Sequence, residues 1–129
     1  IYYGDEIGLA GGGDPDNRRM MPWDDNDINV HQRELRDAVS KMGIVRAQNK
    51  VLARGQRTTL QADDGTWVYQ MSGCGEASPD VIVAINKTDG ARGVTIPDGN
   101  YTNLMTDQAA SGGQVQIPAR GYLIMRAEP

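Results

Sequence analysis

The sequence predicts a mainly β fold, an antiparallel sandwich or strongly curved sheet, preceded by one strand, a long loop and one amphipathic helix. Three observations carry this expectation. Apolar and polar residues alternate from Gln56 onward, turn dipeptides punctuate that region at the roughly 8–12-residue spacing of all-β domains, and one helical period runs upstream of it.

Ile1 to Gly4 reads as a short buried strand, because three strand-forming residues precede a glycine. Asp5 to Asp27 lacks either period and reads as a polar loop. Within it, "GGGDPDNRRMMPW" (Gly11 to Trp23) sets loose glycine backbone beside a φ-fixing proline, then crowds Asp14, Asp16, Asn17, Arg18 and Arg19 together. The helix follows, with Asn29 or Asp27 as its N-cap. Leu35, Ala38, Val39, Met42 and Val45 share one face, and Arg33, Arg36, Asp37 and Lys41 fall mostly on the other. Arg54-Gly55 ends it. The expected division is therefore 1–55 and 56–129.

Beyond Gln56, "RTTLQA" and "TWVYQMS" flank "DDG" as a hairpin. "DVIVAINKT" is the strongest strand pattern. "GVTIPDG" and "YTNLMT" are expected to flank another turn, "DQAASGG" to be a loose loop, and "QVQIPARG" and "YLIMRA" to close the chain. One strand and one helix bury too little to form a domain alone, so residues 1–55 need a sheet to join.

The totals narrow the function classes. At 129 residues the chain suits one compact core, and its net charge of −4 with pI near 4.8 argues against nucleic acid as a partner. No apolar run reaches the length of a membrane span, so no membrane partner is expected. The single cysteine, Cys74, cannot form an internal disulfide and has no companion suggesting a metal or nucleophile role. The opening "IYYGDEIGLA" reads like a strand already under way, which suggests a piece of something longer, with any localisation signal upstream.

"IYYGDEIGLAGGGDPDNRRMMPWD" resembles the segment that ends the catalytic (β/α)8 barrel of the α-amylase superfamily of glycoside hydrolases. There a "YYGxE" strand is the eighth, the loop after it reads "GDPDNRR" or "DPxxR", and the last barrel helix follows. "MGIVRAQNKVLARG" is similar to that helix's usual ending, without its proline. "DVIVAINKTDG" and "GYLIMR" resemble strands of the family's C-terminal antiparallel β-sandwich. The resemblance covers the whole chain and is most specific in the loop.

It implies the last strand, loop and helix of a truncated barrel over 1–55, a C-terminal β-sandwich over 56–129, and an α-retaining glycosidase or transglycosidase as parent. Loops after barrel strands build the active-site face. By motif position Asp14 and Arg18 are the substrate-binding pair, since in the family this aspartate and arginine hydrogen-bond glucose hydroxyls. A carboxylate accepts from neighbouring hydroxyls and a guanidinium donates in a fixed fork. The bland alternative is that the two only brace the loop. Glu6 is expected to support the barrel interior, Trp23 to pack on the barrel, and His31 to be a surface residue.

The family's catalytic carboxylates, an aspartate and a glutamate on strands four and five with a second aspartate on strand seven, belong before Ile1. No catalytic residue and no cofactor are therefore expected in this chain, the family's calcium ligands being mostly upstream, and the chain alone should be inactive. The implied partners are an α-glucan oligosaccharide and the upstream barrel. Ile1, Tyr2, Ile7 and the helix face through Leu35 and Met42 should otherwise be disordered, rearranged or covered by self-association. Two other readings stay open. One is a stand-alone carbohydrate-binding module using Trp67 and Tyr69, which is undercut if Trp67 is buried; the other is a purely structural β domain.

Overall fold

The computed structural model describes residues 2–75 and 78–129. The chain forms two compact units, Ile1–Ile44 and Val45–Pro129.

In the first unit, the expected strand at 1–4 is not formed over Tyr2–Gly4, and Ile1 lies outside the described residues. A 3-10 turn over Asp5–Ile7 takes its place. The Asp5 carboxylate accepts the Tyr2 N–H at 2.9 Å and Glu6 accepts that of Gly4 at 2.9 Å. These local bonds satisfy donors that a strand would have given to neighbours, and among the described residues this unit has no strand to pair with. Ile7 is buried as a result, whereas Tyr2 and Tyr3 are exposed. Two further 3-10 turns, Asp16–Arg18 and Asp25–Asp27, interrupt the loop.

Helix α1, Val30–Gln48, begins on a reciprocal cap. Asn29 Oδ1 accepts the Gln32 N–H and Gln32 Oε1 accepts the Asn29 N–H, both at 3.0 Å. This Asn-x-x-Gln arrangement satisfies two donors that a helix start leaves unpaired, and it selects Asn29 over Asp27 as the N-cap. Arg33 steadies the same end by donating to the Asp25 and Ile28 carbonyls.

The last turn of α1 belongs to the second unit, and there the helix breaks. Asn49 donates both its backbone N–H and its side-chain amide to the Val45 carbonyl, at 3.1 and 2.7 Å. A side chain that competes for the i−4 carbonyl interrupts the helical ladder. Helix α2, Lys50–Arg54, resumes after it, and Arg46 donates to the Leu52 carbonyl across the break.

Among the described residues, six strands form one antiparallel sheet. They are β1 (Gln56–Ala62), β2 (Thr66–Ser72), β3 (Val81–Asn86), β4 (Arg92–Asn103), β5 (Gln108–Ile117) and β6 (Tyr122–Ala127), in the order β1-β2-β3-β6-β4-β5. The β1–β2 hairpin expected from "DDG" is present. Asp63 accepts the Gly65 and Thr66 N–H groups, each at 2.7 Å, and the Thr66 hydroxyl at 2.8 Å.

Two expectations fail in the second half. "GVTIPDG" and "YTNLMT" are not separate strands around a turn but one strand, β4, whose register shifts between Ile96 and Asn100. "DQAASGG" is not a loop but the first part of β5. At the shift the Pro97 carbonyl presses so close to Gly112 that a Cβ there would collide with it. Glycine admits the approach, and the extra residues bend the hairpin, as bulges do. β4 pairs with β6 only over Tyr101–Asn103, so its Arg92–Ile96 half leaves the sheet plane. β2 then meets β4, and β3 meets β5, although neither pair is adjacent in the sheet. The sheet curls over itself into a sandwich-like body.

Each face of this sheet carries a core cluster. Inside the curl lie Val68, Ile82, Ala84, Val94, Ile96, Tyr101, Ile117 and Met125. On the opposite face Val81, Val83 and Leu104 pack with Val45 and Val51, with Tyr69, Met71 and Ile124 around them. Burying each such aliphatic side chain stabilises the fold by roughly 1.5–3 kcal/mol. The β3 run VIVAIN is apolar on both sides for this reason.

Asn86, 1% exposed, ends β3. Its amide nitrogen donates to the Gly90 and Pro118 carbonyls at 2.8 and 2.9 Å, and its oxygen accepts the Thr88 N–H and hydroxyl at 2.9 and 2.7 Å. Asn86→Ala is expected to cost about 2–4 kcal/mol, since it leaves several buried groups unpaired. Urea denaturation checks this, and a loss below about 0.5 kcal/mol would contradict the assignment.

The three hydrogen bonds from Gly65 and Thr66 hold the Asp63 carboxyl at a pKa of about 2, below the usual 3.8. A lowered pKa in the folded state stabilises above the ordinary carboxyl range and is lost as pH falls through the lowered value. Wild-type stability should therefore decline from about pH 4 toward pH 2 more steeply than that of Asp63→Asn, as read by thermal melts across that window.

Candidate functional site

The loop between the first 3-10 turn and α1 carries the two residues singled out by the sequence, and the structure brings them together. Arg18 Nε lies 2.8 Å from Asp14 Oδ1. The residues are four apart with the Asp16–Arg18 turn between them, so local folding alone brings the side chains to one side. Both are largely exposed. The pair is therefore a preformed acceptor and donor set facing solvent, with guanidinium N–H groups and the second carboxylate oxygen available to hydroxyls.

A second pair, Asp16 and Arg19, lies beside the first. Arg19 Nε and Nη2 donate to Asp16 Oδ1 and Oδ2 at 2.8 and 2.9 Å, a two-pronged contact. Asp16 Oδ2 also accepts the Gly12 N–H at 2.7 Å. The Arg19 side chain and then the Gly12 N–H hold the Asp16 carboxyl below its usual range, and Asp16 in turn raises the Arg19 guanidinium. The Tyr3 hydroxyl donates to the Arg19 carbonyl at 3.1 Å. Gly11 permits the tight fold, because a Cβ there would stand 3.0 Å from Asn17 Cα and 3.1 Å from the Asp16 carbonyl oxygen. The three-residue spacing of Asp16 and Arg19 was a usable signal, since residues i and i+3 eclipse on a 3-10 turn.

The remaining candidates lie apart from this pair. Trp23 is 85% exposed and Met20 is exposed with it, so neither packs within its own unit. Glu6 serves the turn described above. His31 is on the surface, where its Nδ1 lies 3.3 Å from Glu34. A shallow cavity of about 360 Å3 in this unit is lined by Ile7, Gly8, Ala10, Asn29, His31, Gln32 and Leu35, not by the ion pairs.

In the second unit Trp67 is half-buried beside Tyr69, with ring centroids 4.6 Å apart and planes tilted by 44°. The Arg57 guanidinium lies over both rings, 5.0 Å from Trp67 and 5.9 Å from Tyr69, and the indole N–H reaches the Thr59 hydroxyl at 3.3 Å. Tilted rings under a cation are not the coplanar exposed platform that stacks on sugars, so the stand-alone module is not favoured. Cys74 is a free, half-buried thiol packed at the edge of the Val45–Val51 cluster.

No family model matches the chain. A cyclomaltodextrinase of Geobacillus thermopakistaniensis (strain MAS1) is 33% identical across 99% of this chain, which corresponds to 22% of that protein. The α-amylase of Anoxybacillus superposes with a TM-score of 0.79 at 26% identity, covering 98% of this chain and 28% of that one. AmyP, solved in complex with maltose, superposes with a TM-score of 0.83 at 21% identity over 96% of this chain and 30% of its own, a likeness of fold. The chain thus spans between about a fifth and a third of these proteins. Along nearly its whole length the chain is homologous to one part of these longer proteins, a cyclomaltodextrinase and an α-amylase among them.

Proposed function

We propose that this chain is the C-terminal part of an α-amylase-type retaining enzyme acting on α-glucans, to which it contributes a sugar-binding loop and a stabilising β domain. The observation that carries this reading is the Asp14–Arg18 pair, held at 2.8 Å and open to solvent in a chain homologous to a cyclomaltodextrinase. A structural neighbour crystallised with maltose supports the substrate class.

The chemistry of the pair is positioning. The Asp14 carboxylate accepts from vicinal hydroxyls of a glucose ring while Arg18 donates from its fork, and each holds the other's orientation before sugar arrives. Bond cleavage needs a nucleophilic carboxylate and a general acid across the scissile bond, roughly 5–5.5 Å apart in retaining enzymes. The loop offers instead two carboxylates, each paired with an arginine, an arrangement suited to positioning a sugar and not to cleaving it. The catalytic carboxylates therefore belong to the rest of the enzyme.

Amide-resolved NMR titration of the chain with maltotetraose tests the reading. Shifts confined to residues 14–19, weakened about tenfold by Asp14→Asn or by Arg18→Ala, are expected for loss of one charge-assisted contact. Shifts centred on Trp67 and Tyr69, or no shift at the loop, count against it. The purified chain is also expected to release no reducing sugar from maltooligosaccharides, and turnover by material free of contaminating amylase would overturn the division of labour.

A further inference from the structure

We propose that Asp16 is a positioning residue that sets the geometry of the Asp14–Arg18 pair by clamping the loop shut on both sides of it. The inference rests on reading Asp14 and Arg18 as the sugar-binding pair, and it concerns how that pair is held.

The clamp follows from where the bonds run. Gly12, two residues before Asp14, gives its N–H to Asp16 Oδ2, and Arg19, next after Arg18, grips both Asp16 oxygens. One carboxylate thus ties the backbone before Asp14 to the residue after Arg18. The backbone repeats the tie at shorter range, with the Asp16 N–H donating to the Gly13 carbonyl at 2.9 Å and that of Arg18 to the Pro15 carbonyl at 3.0 Å. Tyr3 fixes the far end through the Arg19 carbonyl.

The two ion pairs are unequal. The Asp16–Arg19 contact is a two-pronged hydrogen bond and shares its carboxylate with a backbone N–H, whereas Asp14–Arg18 is an ion pair with Arg18 Nε 2.8 Å from Asp14 Oδ1. A fork contact fixes direction as well as distance, and a single-point contact does not. Orientation in this loop therefore flows from Asp16 to the Asp14–Arg18 pair. A Cβ at Gly12 would meet Asp16 Oδ2 at 3.2 Å, so a larger residue there would crowd the carboxylate. The low-lying Asp16 carboxyl agrees with a group whose charge is in use.

The test uses the 129-residue chain with arginine side-chain NMR, following the Nε–Hε signals of Arg18 and Arg19 and the Gly12 amide. In Asp16→Asn the Arg18 Hε signal is expected to move toward the free-arginine position and to exchange about tenfold faster, as a locally opened contact does. Arg19→Lys, which keeps the charge but loses the fork, should fall between wild type and Asp16→Asn. Asp14→Asn should leave the Gly12 and Arg19 signals in place. This one-way dependence is what a mutual brace would not produce. In acid, the Gly12 amide and the Arg18 Hε signal should change together, with a midpoint below 3.8, the usual aspartate value.

An Arg18 signal unchanged in Asp16→Asn would overturn the proposal, and so would equal disturbance of both pairs by Asp14→Asn. Maltotetraose affinity separates this outcome from the functional reading. If wild type binds sugar at the loop, Asp16→Asn should weaken it about as much as Asp14→Asn. If the wild-type chain binds no sugar there, the functional reading fails while the arginine signals still decide whether Asp16 positions the pair.

Discussion

The β domain depends on one buried carboxamide. β6 must enter between β3 and β4, so the turn that precedes it has to be anchored to the end of β3. Asn86 does this by giving its N–H groups to carbonyls of two loops, Gly90 after β3 and Pro118 before β6, while its oxygen accepts from Thr88 in the first of them. An amide can donate twice and accept twice, and no other uncharged side chain of this size offers both. Around that anchor the Asn86 N–H itself pairs with the Gly121 carbonyl, so the junction is satisfied from backbone and side chain together.

The anchor makes sense because β3 is buried on both faces along Val81–Ala84 and again at Asn86, with Ile85 reaching solvent between them. One side is closed by the bent β4–β5 hairpin, and the other by the short helical stretch from Val45 to Leu52. A strand buried on both faces has no tolerance for unpaired polar groups at its end. The break at Asn49 serves the same packing. Beyond it Val51 is fully buried in the cluster under β3.

How much of this the sequence disclosed differs by element, for identifiable reasons. The β1–β2 hairpin was legible because Asp63 and Gly65 act within three residues of each other. α1 was legible by its period, and its start by Asn29. The β4 bulge was read as a turn because Pro97-Asp98-Gly99 carries turn chemistry, and only the distant contact with Gly112 shows why the strand continues. The first part of β5 reads as a loop because its small polar residues give no alternation, although backbone pairing with β4 needs none. The strand at 1–4 was read from composition, but a strand needs partners, and Asp5 and Glu6 supply nearer ones. In the loop, the roles of Asp14 and Arg18 came from resemblance alone, and the bracing by Asp16 became visible only once Gly12 and Arg19 were seen on the same carboxylate.

The strand order has a consequence for how the protein is made. β3 and β4 follow one another in sequence but are held apart by β6, which is translated after both. Until Tyr122–Ala127 has left the ribosome, β3 exposes an apolar edge at which β4 is the nearest available and incorrect partner. Pairing across such sequence distances is slow, and an open edge in the meantime invites association with other chains. The bend at Ile96–Asn100 removes part of that hazard, since a hairpin already curved away cannot lie flat against β3 along its whole length. The irregularity that hid β4 from the sequence thus also guards the nascent chain against closing its sheet one strand too early.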